Sequence, residues 1–460
     1  MRILRSKVGR RVAVLAVLAI AAAAVASVSG SAHRVAVHRG VMTPDTMRAP
    51  FLAQEATPLQ NPTGLVRFSC QLTVPAGCYG PDQMRAAYDT QPLLDAGYTG
   101  AGRTIVIVDA YGSSTIVSDT ALFNTVWGLP QANLTVLKPF GVDPTTPDNA
   151  EGWSAETTLD VQWAHAIAPG AAIDLVIAKS NDDADILDAT KYAVDNNLGD
   201  VVSQSFGEAE QCMDPAQVKR QEQIFRAAVV KGMTLFASSG DQGAGQPTCD
   251  GDHYFKAAST PASDPNVTGV GGTTLHANGV TGAYQSESTW NESDLFDDAV
   301  AGGGGLSVLY GRPLYQLAAT PWRTATFMRQ VPDVSYNAAV FNGVIVVWTR
   351  PGTGGPAAYR FGGTSAGSPQ WAAIGAITNQ LAGHRLGNIN PSLYAITKIN
   401  GGAYHDIADG SNNSVPDGLG GTITGFTAVP GYDMATGIGS PVSSVLAPLL
   451  AKLPAHTNPS

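Results

Sequence analysis

Thr104-Ile105-Val106-Ile107-Val108 and Ala172-Ile173-Asp174-Leu175-Val176-Ile177 are short apolar runs rich in β-branched residues, the pattern of strands buried on both faces. Two more follow, Asp200-Val201-Val202-Ser203-Gln204-Ser205-Phe206 and Met233-Thr234-Leu235-Phe236-Ala237, each running into a Gly- or Ser-rich turn. The stretches between them, 155–168, 181–196 and 215–231, carry helical patterns. Strands alternating with helices of this length predict parallel βαβ units, hence an α/β fold with one mostly parallel sheet and helices on both faces. In such sheets chemistry gathers beyond the carboxyl ends of the strands. That directs attention to Gly207, Gly240-Asp241 and the Gly362-Gly363 turn. No internal repeat is visible. Gly302–Gly305 and residues 409–421 read as loops by composition.

The composition narrows the function. The chain has 460 residues with 27 Lys+Arg against 37 Asp+Glu, a formal charge of -10 and a sequence pI of about 5.2. No basic stripe of the kind nucleic-acid binders carry is expected. Hydrophobic residues at 44% and charged ones at 14% suit a large core and argue against disorder.

The N-terminus reads as an address. Arg2, Arg5, Lys7, Arg10 and Arg11 precede an apolar stretch from Val12 to Val28, then the small residues Gly30-Ser31-Ala32. This is the three-part pattern of a secretory signal, predicted over 1–32, and the competing reading is a short membrane anchor. Residues 33–79, without periodicity in their first half, read as a flexible leader, and 451–460 as a tail. The mature chain is expected to be secreted, extracellular, monomeric and off the membrane. Cys70, Cys78, Cys212 and Cys249 fit an oxidising compartment. Four cysteines allow three connectivities, of which proximity favours 70–78 and 212–249.

Two motifs carry chemistry. Gly362-Gly363-Thr364-Ser365-Ala366-Gly367-Ser368-Pro369 enters an apolar helical stretch. The glycines permit a sharp turn, and a serine at a helix start feels a positive potential that favours a developing anion. The bland alternative is a plain N-cap serine. A nucleophilic serine needs a base. Of eight histidines, His33, His38 and His456 lie in the predicted flexible ends, His165 sits mid-helix, and His253, His276, His384 and His405 lie in or beside loops; none has a triad setting. The second motif supplies acids instead. Glu156 and Asp160 are four residues apart on the 155–168 helix, and four steps of about 100° return to within about 40°, so both share a face. Carboxylates this close cannot both ionise freely and should share a proton at acidic pH. The bland alternative is two solvated acids. Yet no Lys or Arg balances that face.

These residues resemble the motifs of the sedolisins, the serine-carboxyl peptidases related to kumamolisin: G-T-S-x-x-x-P at Gly363–Pro369 and E-x-x-x-D at Glu156–Asp160. Ser238–Gly243, Thr260–Pro265, Gly302–Ser307 and Val331–Ser335 match in order and spacing, so the resemblance spans roughly 80–445. It implies a subtilisin-like single catalytic domain over 80–450 acting on protein or peptide substrates. It implies Ser365 as nucleophile, Glu156 as general base, Asp160 orienting Glu156, and Asp241 at the oxyanion. An ionised Asp241 would repel an oxyanion, so this chemistry belongs to acid pH. It also implies a Ca²⁺ site from the side chains of Asp406 and Asp433 and the carbonyls of Ile407, Val429 and Gly431, the hard oxygen donors calcium prefers. Family precursors carry a large prodomain, for which 33–79 is too short. Phe206 stands where the family commonly has Trp, Gln242 where Ser is common, and Val429 where Gly is common.

Asp109 sits after the first sheet strand, where a subtilisin-type Ser-His-Asp enzyme would place its Asp; no suitable His follows. Two other readings compete. An inactive peptidase scaffold used for binding should have lost a catalytic group, and all four are here. A two-carboxylate glycosidase leaves Ser365 and Asp241 unexplained.

Overall fold

The computed structural model describes residues 43–44, 54–60, 64–319 and 327–460. The expected signal segment 1–32 lies outside the described residues. Along the chain run β1 (Thr104–Ala110), α1 (Ile116–Trp127), β2 (Asn133–Leu137), α2 (Pro147–Ile167), β3 (Ala172–Ala178) and α3 (Asp183–Asp195). Then follow β4 (Val201–Gln204), α4 (Pro215–Val230), β5 (Thr234–Ser238), β6 (Val267–Ala277), β7 (Tyr284–Thr289), β8 (Val334–Asn337) and α5 (Gly367–Ala382). The strands form one sheet in the order β7-β6-β5-β4-β1-β3-β2, with β8 also paired to β6. Every pairing is parallel except β6 with β7. The predicted α/β architecture is the observed one.

Alternation in β1 builds two cores. Ile105 and Ile107 face Leu159 and Val161 of α2 and Ile374 and Ile377 of α5. Val106, Val108 and Ala110 face Ile186, Leu187 and Phe225 on the other side. All five β1 residues are fully buried, and each large side chain contributes about 1.5–3 kcal/mol of burial. Truncating Ile107 to Ala would cost about 2–5 kcal/mol.

Helix α2 begins earlier than the pattern predicts, at Pro147 rather than Ala155. Thr146 caps it by accepting from Asn149 N at 3.3 Å, and Pro147 fills the first turn where no amide is needed. Pro147, Asn149 and Gly152 in its opening turns hide them from a periodicity reading. Gln162 and Trp163 then moor α2 to a second sheet. Gln162 donates to Val347 O at 2.7 Å and accepts from Val347 N, and Trp163 Nε1 donates to Ile345 O at 3.1 Å. That sheet pairs Gly343–Trp348 with Ala357–Phe361, the strand that feeds the Gly362-Gly363 turn. The helix bearing the acids and the turn bearing the serine are thus referenced to the same scaffold.

Two expectations need correction. The leader 33–79 is in part built into the fold. Cys78–Tyr79 adds a parallel strand beside Gly343–Val344, Gln54–Glu55 pairs with Ala357–Phe361, and Thr43–Pro44 pairs antiparallel with Phe206–Gly207. These segments are too short to show a period of their own; backbone pairing recruits them. The tail is docked as well: His456 Nε2 lies 3.0 Å from Ser392 Oγ, and Ser460 N donates to Asn266 Oδ1 at 2.8 Å. Both disulfides favoured by proximity, Cys70–Cys78 and Cys212–Cys249, are present.

Candidate active site

Ser365 lies in a tight turn, Thr364–Ala366, that runs directly into α5. Gly363 adopts φ +99°, a region that side chains disfavour, and a Cβ on Gly362 would fall 2.5 Å from Ala338 O. The two glycines therefore let the chain turn against β8 and project Ser365 toward α2. Ser368, one turn on, lies with its hydroxyl 2.9 Å from that of Ser203 on β4, pinning the start of α5 to the sheet.

The serine hydroxyl donates to Glu156 Oε2 at 3.1 Å and lies 3.4 Å from the Ser205 carbonyl. Ser205 follows β4 directly, and its own hydroxyl donates to Asp160 Oδ1 at 2.8 Å. Glu156, Asp160, Ser205 and Ser365 are all fully buried. Burial pushes the Asp160 carboxyl well above the usual range, and the charge of Asp109 raises it further; hydrogen bonds from Ser205 and with Glu156 pull partly back. A carboxylate pair in so dry a place keeps a proton.

Asp241 approaches from the next strand. After β5, Ser239 donates its hydroxyl to Gly303 O at 2.8 Å, and Gly303 N donates to Gly240 O at 2.7 Å. A Cβ at Gly303 would sit 2.1 Å from Ser239 O, so this stretch of the glycine run accepts no side chain. Asp241, nearly fully buried, then accepts at Oδ1 from both Thr364 N and Thr364 Oγ1, at 2.7 and 2.8 Å. The residue next to the serine is thereby fixed to the acid.

The four residues singled out from the sequence thus meet beyond the carboxyl ends of β4 and β5. The Ser365 hydroxyl meets Glu156 and the Ser205 carbonyl, and neither partner is a histidine. His165 is buried at the far end of α2, its Nε2 2.8 Å from Pro130 O, and burial lowers its pKa. Ser205 and Thr364, which join the acids to the serine turn, were not singled out beforehand. Their hydroxyls have no signature in sequence; only their places beside the two turn motifs mark them.

Of the residues expected to hold calcium, Asp406 is hydrogen-bonded to Gly431 and Asp433 to Val429. Asp406 receives Gly431 N at 3.1 and 3.0 Å on its two oxygens, while Asp433 receives Val429 N at 3.0 Å and the amides of Ala435 and Thr436 at 2.9 and 2.8 Å. Two carboxylates thus hold the 429–431 loop, whose Gly431 has φ +85°. Burial raises the Asp433 carboxyl, offset in part by those amides. A cavity of about 190 Å³ is lined by Asp406, Gly431, Tyr432 and Lys398. Among the described residues no group of three or more His, Cys, Asp or Glu is placed to hold a metal ion, so any ion here would depend on carbonyls as well as on the two acids.

The family model described as the subtilase family matches residues 152–391. Kumamolisin from Bacillus sp. (strain MN-32) is 31% identical over 79% of this chain and 62% of its own. Sedolisin from Pseudomonas sp. (strain 101) is 30% identical over 79% of this chain and 59% of its own. The chain thus spans about six-tenths of the length of these relatives. Among solved structures, Pseudomonas sedolisin complexed with two molecules of pseudo-iodotyrostatin superposes with a TM-score of 0.68 at 28% identity, over 80% of this chain and 97% of that one.

Proposed function

The chain belongs to the subtilase family and is similar to its sedolisin members, and on that premise we propose that it is a secreted, acid-active serine-carboxyl peptidase of protein or peptide substrates. The observation that carries this is the contact of Ser365 Oγ with Glu156 Oε2, both fully buried, with Asp160 one turn further along the same helix.

In this reading Ser365 Oγ bonds to the substrate carbonyl carbon while its proton passes to Glu156. The carbonyl π electrons move to oxygen, where a protonated Asp241 donates a hydrogen bond to the oxyanion. Collapse expels the amine, which takes the proton back from Glu156, and leaves an acyl-enzyme. Water, deprotonated by Glu156, then releases the acid and restores Ser365. Glu156 must begin ionised and Asp160 protonated, since two adjacent buried acids hold one charge far more readily than two. The requirement for protonated Asp160 and Asp241 with ionised Glu156 confines turnover to acid solution.

The proposal extends to the chain's organisation: a signal over 1–32, a leader over 33–79 and the catalytic domain over 80–450. Two disulfides support an oxidising compartment. Among the described residues no helix is long and apolar enough to cross a membrane.

The donor chemistry around 429–431 suits Ca²⁺. Asp406 and Asp433 would give carboxylate oxygens and Ile407, Val429 and Gly431 carbonyls, and the ion would offset two acids held in one loop pair. Its contribution would be to stability of the C-terminal loops rather than to bond cleavage.

The test is a pH-activity profile on a denatured protein substrate, with Ser365→Ala alongside. Activity peaking near pH 3–5 and abolished in the variant is expected. Full turnover in Ser365→Ala, or a peak in alkaline buffer, would sink the reading.

A further inference from the structure

Phe206–Ala209, the strand that follows Ser205, is the middle one of three. Ser259–Thr260 pairs with Glu208–Ala209 on one side, and Thr43–Pro44 pairs antiparallel with Phe206–Gly207 on the other. The edge beside Ser205 therefore accepts an extended chain in this molecule. A peptide bound in the same sense reaches Ser205 next, and the Ser205 carbonyl lies 3.4 Å from Ser365 Oγ. A substrate taking the place of Thr43–Pro44 would be led to the nucleophile by this strand.

Phe206 and Glu208 share one face of the strand. Phe206 joins the core that holds Ile186 and Leu187 of α3, and meets Trp153 of α2 at 6.1 Å between ring centres. Glu208 meets the carboxyl of Asp183, the first residue of α3. Both acids are buried, Asp183 3% and Glu208 7% exposed. Among the described residues neither Asp183 oxygen has another hydrogen-bond partner. Burial raises the Asp183 carboxyl from 3.8 to about 6; the bond with Glu208 opposes this, and the charges of Asp182, before α3, and Asp214, before α4, add to it. Lys179, just past β3, pairs with Asp143, and Arg220 of α4 pairs with Asp188, so neither cation answers the two acids. Two carboxyls in contact bond while they share a proton and repel once both are ionised. An asparagine at 183 could donate to Glu208 at every pH. The acid makes that bond conditional.

We propose that Asp183 and Glu208 are a positioning pair for substrate binding: sharing one proton, they clasp the strand Phe206–Ala209 to the start of α3 and keep its edge in place for the peptide. In acid the clasp is closed. As pH rises past about 6 it opens, and the edge loosens. This rests on the peptidase reading, and it gives peptide binding a pH dependence separate from that of the acids at Ser365.

The experiment is binding of a rhodamine-labelled peptide that wild type cleaves, followed by anisotropy from pH 4 to pH 7. It uses the Ser365→Ala protein, alone and with Asp183→Asn or Asp183→Ala added. With Asp183 in place, Kd should rise about tenfold over that interval. With Asn, which donates to Glu208 throughout, it should rise less than about threefold. With Ala the clasp is gone, so Kd should already be about fivefold weaker at pH 4 and change as little with pH as in Asn. In protein that retains Ser365, Asp183→Ala should raise KM at pH 4 by more than it lowers kcat. An acid that only fills space would leave the pH slope of Kd unchanged on replacement by Asn. Folding of each variant is read by thermal unfolding at pH 4, and Glu208→Gln, which can donate to Asp183 in the same way, carries the test if Asp183→Asn does not fold. Equal slopes with and without the amide overturn the positioning role alone, provided wild type is active and Ser365→Ala is not. If wild type cuts no peptide, or Ser365→Ala cuts as wild type does, the peptidase reading falls and takes this inference with it.

Discussion

The amide and the hydroxyl of Thr364 both donate to the same oxygen of Asp241, Oδ1. With that atom committed as an acceptor, a proton carried by Asp241 belongs on Oδ2. The acid therefore has a defined accepting side, toward the serine turn, and a defined donating side. Neutral Asn can reproduce both, with its carbonyl at Oδ1 and its NH₂ at Oδ2.

Asp241→Asn is accordingly expected to retain measurable hydrolysis at acid pH and to lose less activity as pH rises. Asp241→Ala should lower kcat by about 10²–10³-fold, the usual effect of removing one oxyanion donor. Single-turnover kinetics across pH separates the two. Equal loss in both variants would mean that Asp241 does not act as a hydrogen-bond donor.

Glu156→Gln keeps the size of the base but cannot accept the serine proton. Its kcat should fall by about 10²–10⁴-fold, the range of general-base catalysis, with KM nearly unchanged. Ser205→Ala, which removes only the hydroxyl that meets Asp160, should lower kcat by about 5-fold, in keeping with the ~1 kcal/mol of one hydrogen bond. A Glu156→Gln enzyme of wild-type rate would contradict the proposed base.

Stability should be greater in acid than at neutral pH. Burial raises Asp109 to about 7 and Asp183 and Asp264 to about 6, from 3.8 unfolded. The folded state holds these protons more tightly, so their stabilisation is complete below the unfolded value and is lost as pH rises through about 6–7. His165, lowered by burial, opposes this below its ordinary 6.5, but three carboxyls outweigh it. Calorimetry should show Tm falling between pH 5 and pH 7.5, less steeply in Asp109→Asn. A Tm that climbs over that interval would contradict the assignment of these acids as neutral in the fold.

Chelation should lower Tm if calcium bridges the 406 and 433 loops. Asp433→Ala should unfold at a lower temperature than wild type and no longer respond to added chelator. Wild type insensitive to chelator, measured at matched ionic strength, would remove the ion from the account.

Much of the scaffold was legible because buried parallel strands announce themselves as β-branched runs: Thr104–Val108 and Ala172–Ile177 lie within β1 and β3. The acids were legible because a helical spacing of four is a statement about shared direction. Other features had no such rule. The start of α2, Pro147 to Gly152, carries loop-favouring Pro, Asp, Asn and Gly and becomes helix through its cap and its packing. Gln54–Glu55 and Cys78–Tyr79 are strands only because a neighbour offers its edge. Ser205 matters through a carbonyl and a hydroxyl whose directions are set by the end of β4, and no pattern of side chains encodes those directions.

The serine and the carboxylate that meets it stand 209 residues apart in the chain, on a turn and a helix that only the finished sheet brings face to face. A growing polypeptide displays the acid long before it contains the alcohol, and contains the alcohol before β8 and α5 have closed around it. The capacity to cut would consequently be a late acquisition, and nascent or misfolded copies would be spared their own chemistry.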